Sequence, residues 1–356
     1  MSASTRIPPI AQPFVSERAK KTLDQLGEGD QRWATYPAVM ESLKTKARQQ
    51  GLWNMFLPKN HFSQGAGFSN LEYGLMAEYL GKSKLASEKW WSSGAGDPRC
   101  SIYLVMGKSD PTNKDPYRQQ SVILVPADTP GITVHRMLSV YGYDDAPHGH
   151  GHISFKDVRV PVSNIVLGEG RGFEIIQGRL GPGRIHHAMR TIGAAEKAIE
   201  WLIARINDER KQTFGKSLSS HGVILEWLAK SRIEVDAARL IVLNAAIKID
   251  QGDAKSALKE IAQAKVLVPQ TALTVIDRAV QAYGAAGVCQ DTPLANLWAM
   301  IRTLRIADGP DEVHLQQLGK RENRARKDSV IEKLNWQQAE AERLLAASGL
   351  KLKSHL

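Results

Sequence analysis

The 356-residue sequence predicts an α+β chain in three parts: a helical N-terminal region (1–87), a middle antiparallel β-domain (88–170) and a C-terminal four-helix bundle (171–345), closed by a short tail (346–356). Three observations carry this. Ile224, Leu228, Ser231, Val235, Ala238, Val242, Ala245 and Ile249 alternate spacings of four and three, the seam of a long bundle helix. Residues 88–170 break that period into short β-rich runs bounded by turn formers. Upstream, Ser69-Asn70-Leu71-Glu72 has the capping-box spacing, and Leu71, Leu75 and Tyr79 follow it on one helical face.

Residues 1–30 are polar with scattered proline, and the first helices carry Leu23, Leu26, Trp33 and Met40 among charges until Gly51–Pro58 interrupts them. The helix from Ser69 ends near Gly81. Trp90–Gly96 then leads into strands expected at Ile102–Met106, Val122–Val125, Ile132–Val134, His152–Phe155 and Val158–Val160, which read as a small antiparallel domain.

The helical period resumes at about Gly183. Asp253 is placed to cap the helix that follows the seam, Pro269 must remove one of that helix's hydrogen bonds and kink it, and Gly284-Ala285-Ala286-Gly287 ends it. Thr292-Pro293 reads as an N-cap and first helical position, with Leu297, Met300, Ile301 and Leu304 at helical spacing behind it. The basic stretch Lys320, Arg321, Arg324, Arg326, Lys327 belongs to a solvated helix.

A chain with 42% apolar residues is not disordered, and a formal net charge of +10 favours anionic partners. Cys100 and Cys289 are the only cysteines, which excludes a disulfide framework and a cysteine-ligated structural zinc. No uncharged apolar run approaches membrane-spanning length, and the N-terminus lacks the plan of a secretory signal, so a soluble intracellular protein is expected with neither membrane nor nucleic acid as partner.

The residues around which chemistry would be built are Leu304 to His314, where two helices meet at Asp308. Gly309 gives the chain freedom to leave the first helix, Pro310 stops it, and Asp311 is placed to cap the second. A carboxylate at a helix C-terminus faces the negative end of the dipole, which raises its proton affinity and suits a base. The bland alternative is that Asp308 merely helps the chain turn.

Other motifs are weaker. His148, His150 and His152 alternate as strand neighbours do, but no further ligand stands at an obvious spacing, so no metal is expected. Gly168-x-Gly170-x-Gly172 has Phe173 where a dinucleotide fingerprint needs glycine, and neither Gly107-Lys108-Ser109 nor Gly215-Lys216-Ser217 has the leading glycine of a phosphate loop. Leu180-Gly181-Pro182-Gly183-Arg184-Ile185-His186-His187 sets an arginine and two histidines at the expected start of the first bundle helix, either an anion site or an ordinary exposed helix start.

Taken together, Trp90–Gly96, Tyr141–Phe155, Gly168–Arg190, Phe214–Lys216, Gln281–Gly287 and Leu304–His314 resemble the acyl-CoA dehydrogenase family, in the branch with Asp as base, over most of residues 88–316. The resemblance implies FAD between the β-domain and the bundle, with its isoalloxazine against an acyl-CoA thioester. Asp308 then matches the base that takes the α-proton as the β-hydrogen leaves as hydride, and Gly309 lies beside the thioester. Trp91 and Ser93 match flavin-ring contacts. Gln281, Tyr283, Gly284, Pro310, Asp311 and Glu312 match FAD contacts in the same or a partner subunit. Gly181, Pro182, Gly183 and Arg184 match a segment lining the acyl-CoA site. Near Phe214, a contact on the FAD pyrophosphate that the family fills with arginine falls on Lys211, with Arg210 beside it, so the charge is shared between the two. Ala285 stands for a usual glycine.

Two further expectations follow from the resemblance. The partners are an acyl-CoA, an electron acceptor (oxygen or an electron-transfer flavoprotein) and a second copy in a homodimer or homotetramer. The reaction serves fatty-acid oxidation or the making of an unsaturated acyl chain. The family also has several dozen residues between positions matching Ser87 and Lys89, holding many flavin contacts. The competing expectation is therefore a catalytically impaired remnant that keeps the oligomerising bundle. Ser354-His355-Leu356 is close to a peroxisomal signal; otherwise a cytoplasmic or mitochondrial address is expected.

Overall fold

The computed structural model describes residues 25–27, 29–34, 36–49, 88–252 and 254–349. The expected helix from Ser69 to Gly81, the Asp253 cap and the C-terminal tripeptide lie outside them. Among the described residues, α1 (Gln31–Ala34) and α2 (Ala38–Gln49) precede the first strand. An ion pair from Arg32 to Asp144, 2.6 Å long, ties α1 to the β-domain.

That domain has a three-stranded antiparallel sheet in the order β1 (Glu88–Ser93), β5 (His150–Phe155), β4 (Ile132–Leu138), and a separate antiparallel pair, β2 (Ile102–Lys108) with β3 (Gln120–Pro126). Its small core joins Ala95, Tyr103, Val125 and Ile153, with Phe155 edge-on to Tyr103. Two strand expectations change. Trp90–Ser93 is itself a strand, because its alternation of buried Lys89 and Ser92 is masked in sequence by a bulge at the two tryptophans. Val158–Val160 is not a strand: those valines pack on the core from an unpaired segment.

The bundle is built on α3 (Gly172–Ile206), α4 (Gly222–Gln251) and α5 (Leu258–Tyr283). The hairpin β6 (Gln212–Thr213) and β7 (Lys216–Ser217) joins the first two. The α4 seam lies inward as expected, with Leu228 alone half-buried, and meets Ile192, Ala195, Ile199 and Leu202 of α3 and Val268, Ala272, Val275 and Ala279 of α5. At about 1.5–3 kcal/mol for each large aliphatic side chain taken from water, this apolar seam stabilises the assembly. Arg205 of α3 reaches the Ala282 carbonyl of α5, while Arg278 of α5 pairs with Glu234 of α4. α3 and α5 therefore run the same way, packed directly on each other, and α4 runs back alongside both.

α6 (Leu294–Thr303) returns along α5, and α7 (Asp311–Ala347) continues from the turn. Thr292 is not the cap of α6. Its hydroxyl instead donates to the Ala286 carbonyl, and Pro293 is the capping position. α7 touches α5 through Lys259 and Glu322 and then projects with its side chains largely exposed, as its basic composition implies. Among the described residues no helix is long and apolar enough to cross a membrane.

Candidate active site

Asp308 sits in the turn between α6 and α7, 8% exposed, with its backbone in the left-handed region at φ 58°, which Asp tolerates better than most side chains. Its main chain is gripped from three sides. The buried Arg184 of α3 donates from Nε to the Asp308 carbonyl at 3.0 Å, and His314 Nε2 approaches the same oxygen at 3.2 Å. Lys265 of α5, 2% exposed, donates from Nζ to the carbonyl of Leu304 and, at 3.3 Å, to that of Gly309. The side chain is held differently: His187 Nε2 lies 3.5 Å from Asp308 Oδ2. Burial pushes His187 down to about 4 against the opposing pull of Asp308, so its imidazole is neutral at ordinary pH. His314 is also pushed down, by burial first and then by Arg184.

Asp311 does not cap α7 through its side chain. Pro310 holds the cap position, and the Asp311 carboxylate takes Arg305 Nε at 2.6 Å and Gln270 Nε2 at 3.2 Å, leaving Oδ1 buried without a hydrogen-bond partner. Glu312 next to it is exposed.

Gly181, Pro182, Gly183 and Arg184 are not at a helix start. α3 begins at Gly172, and all four lie inside it, so a helix N-terminus cannot supply an anion site there. Packing overrides the helix-breaking composition: a Cβ at Gly181 would come within 2.6 Å of the Ala254 Cβ, so glycine permits this approach of chain to helix. Arg184 then points at the turn, beside Asp308, rather than at solvent.

The remaining candidates fall into two groups. Trp91, 48% exposed at φ 62°, stands off β1 with its ring 5.7 Å from that of His150, and Ser93 Oγ is 3.0 Å from His150 Nδ1. At the far end of the bundle, Phe214 projects 92% exposed from the tip of the β6–β7 hairpin. Arg210 is paired with Asp208 at 2.9 Å, and Lys211 is exposed beside it. Gln281 is exposed at the end of α5, Gly284 follows at φ 61°, and Tyr283 is buried under Arg205 with its hydroxyl unpartnered. Sixteen residues of α5 separate Lys265 from Gln281, about 24 Å at helical rise, so the second group is remote from Asp308 within one chain.

The three histidines of the alternating tract do not converge. His148 pairs with Asp97 at 2.8 Å, His150 with Ser93, and His152 stacks on Trp90 at 4.3 Å. No group of three His, Cys, Asp or Glu poised to hold a metal ion occurs among the described residues. Sequence reasoning missed Lys265, and it noted His187 and His314 without giving either a role. Position 265 falls on the buried face with Ile261, Val268 and Ala272, and a lysine there was the available signal.

Comparison with known proteins places this arrangement. Residues 63–158 match the middle domain of acyl-CoA dehydrogenases and residues 170–322 their C-terminal domain. Acyl-CoA dehydrogenase family member 11 of Gallus gallus is 43% identical over 366 residues, covering 83% of this chain and 46% of its own length. The acyl-CoA dehydrogenase FadE2 of Mycobacterium tuberculosis is 39% identical over 81% of this chain and 86% of its own. A solved acyl-CoA dehydrogenase structure from Mycobacterium abscessus is 35% identical, with a TM-score of 0.76 over 88% of this chain and 93% of its own. The chain spans about half the length of several of the relatives it matches, the chicken protein among them. In the chicken match, 83% of 356 residues is about 295, so about 70 of the 366 aligned positions have no counterpart here. Both domain matches, in chain order, together with the shared fold show that this chain belongs to the acyl-CoA dehydrogenase family, a family of oxidoreductases.

Proposed function

We propose that this chain is an FAD-dependent acyl-CoA dehydrogenase in which Asp308 removes the α-proton of an acyl-CoA thioester. The observation that carries the reading is the Asp308 turn: a nearly buried carboxylate whose backbone is fixed by Arg184, Lys265 and His314 while its oxygen faces a neutral imidazole. Removing a proton α to a carbonyl needs a base held within hydrogen-bond reach, and screening from water favours the step by making the carboxylate a stronger acceptor. Gly309 brings no side chain to the turn beside the base, where the family resemblance sets the thioester, and the net charge of +10 draws in the phosphates of CoA.

When bound, FAD supplies the acceptor for the β-hydride. The residues present fit such a cofactor on two counts. Trp91 offers an exposed aromatic face from a fixed, bulged strand, and Phe214 offers a second at a hairpin tip next to the positive Arg210 and Lys211. The distance between the Asp308 turn and the Phe214 group supports a homodimer or homotetramer, in which one copy brings Trp91, Ser93 and Asp308 and another brings Phe214, Arg210, Gln281 and Gly284. An electron acceptor, oxygen or an electron-transfer flavoprotein, would complete the set of partners.

Asp308→Asn tests the role. It preserves size and removes basicity, so flavin binding should persist and acyl-CoA-dependent bleaching of the flavin should be lost; bleaching at a wild-type rate would refute the assignment. A second reading, a non-catalytic remnant that retains the oligomerising bundle, is favoured by the roughly 70 missing aligned positions. Denaturing the protein after purification with excess FAD separates the two, since a remnant releases no flavin.

A further inference from the structure

Resting on the reading of Asp308 as the base, we propose that His187 is its positioning residue, a neutral imidazole that directs an Nε2–H at the carboxylate and keeps it anionic and aimed. The argument starts on α3. His187 lies three residues beyond Arg184, so both side chains leave the same face of the helix, one toward the Asp308 main chain and the other toward its carboxylate. Three residues further, Arg190 NH2 stands 3.2 Å from His187 Nδ1. A guanidinium can only donate, so Nδ1 must present its lone pair, and the single proton of a neutral imidazole is then on Nε2. Nε2 is the nitrogen 3.5 Å from Asp308 Oδ2, a separation longer than a hydrogen bond that a small side-chain rotation closes.

The surroundings keep the ring in that state. Arg179, His186 and Arg190 of α3 supply the cationic groups near it and Asp308 the acidic one, while Arg184, Lys265 and Asp311 stand around His314 on the other side of the turn. Burial and the cationic neighbours push His187 down to about 4. The difference is chemical. An imidazolium beside Asp308 would bind the carboxylate as an ion pair and oppose its protonation by substrate, whereas a neutral N–H stabilises the anion by one weaker hydrogen bond and opposes the proton transfer less.

The test compares the wild-type protein with His187→Gln, which retains an N–H of similar reach, and His187→Leu, which has none. Long-range 1H–15N spectra of protein labelled with 15N-histidine report the tautomer without any turnover, the His187 signal being the one missing from the Gln variant. A bare Nδ1 and protonated Nε2 from pH 8 down to 5.5 is expected; a proton on Nδ1, or titration above pH 6, overturns the proposal. In protein carrying FAD, the rate of flavin bleaching by butyryl-CoA or octanoyl-CoA is followed against pH. The acid limb should move up by about one pH unit in the Leu variant, on the usual scale of a lost hydrogen bond to a carboxylate, and stay within a few tenths in the Gln variant. A Leu variant with the wild-type limb overturns the role of His187. Asp308→Asn in parallel keeps the two claims distinct, because bleaching there at a wild-type rate removes the base itself.

Discussion

Arg184 and Asp308 are 124 positions apart in sequence, yet the arginine Nε donates to the aspartate carbonyl at 3.0 Å, so the middle of one buried helix fixes the turn on which the carboxylate stands. Arg184→Met, close in length but without a donor, should lower unfolding free energy by about 1–3 kcal/mol, the range for losing a buried hydrogen bond from a charged group. The same variant should bleach its flavin more slowly. A denaturant midpoint equal to wild type would show that the contact is idle.

Lys265→Met removes the donor to both Leu304 and Gly309 carbonyls. Two buried acceptors then lose a partner, and a loss of about 2–4 kcal/mol is expected at 1–2 kcal/mol each, read as a fall in the denaturant midpoint. Lys265→Arg should not rescue, because a guanidinium fork does not match two carbonyls gripped by one ammonium in a fully packed site.

Gly309→Ala tests the turn from the other side. At φ 102° a side chain is strained, and its Cβ would stand 2.9 Å from His314 Nε2. We expect a loss of about 1–3 kcal/mol, measured by thermal melting, with His314 displaced. His314→Ala combined with Gly309→Ala should recover part of the loss if the clash is the cause.

His187 also gives the protein an acid sensitivity of definite sign. Its folded value of about 4 lies below the ordinary 6.5, so between those limits the unfolded chain takes up a proton that the fold refuses. Stability therefore falls as pH drops from about 6.5 to 4, by at most roughly 3 kcal/mol from this group. His187→Gln should flatten that part of a stability-against-pH curve; an unchanged slope would count against the burial argument.

Phe214→Ser addresses assembly. If a second copy's cofactor covers this exposed ring, the substitution should lower flavin content without changing the folded helix content by circular dichroism. Light scattering of the wild type at micromolar concentration should give at least twice the mass of one chain; a monomeric mass would refute the shared site.

The sequence made the long-range frame legible where one face of one element carries the signal. The Ile224–Ile249 seam is buried as its spacing implies, and the Gly309-Pro310 pair marked the Asp308 turn. It failed where tertiary contact overrides local rules. Gly181-Pro182-Gly183 breaks a helix on paper, but packing on Ala254 carries α3 straight through it. Lys265 falls on a buried helical face, but its role was not legible because its partners are carbonyls some 40 positions away, and carbonyls leave no mark in a sequence. His187 stood in the Leu180–His187 stretch without a role for a similar reason: its meaning comes from Asp308 across the fold and from the tautomer that Arg190 selects.

The grip on residue 308 is made on main-chain oxygens at 304, 308 and 309, which any amino acid would present. Evolution can therefore exchange the tool without rebuilding the handle: a new side chain at this position inherits the same anchoring, and selection can sample bases of different reach or acidity while leaving Arg184 and Lys265 untouched. Divergence in chemistry within such a lineage would be expected to concentrate at position 308 and its side-chain neighbours, and to spare the anchors.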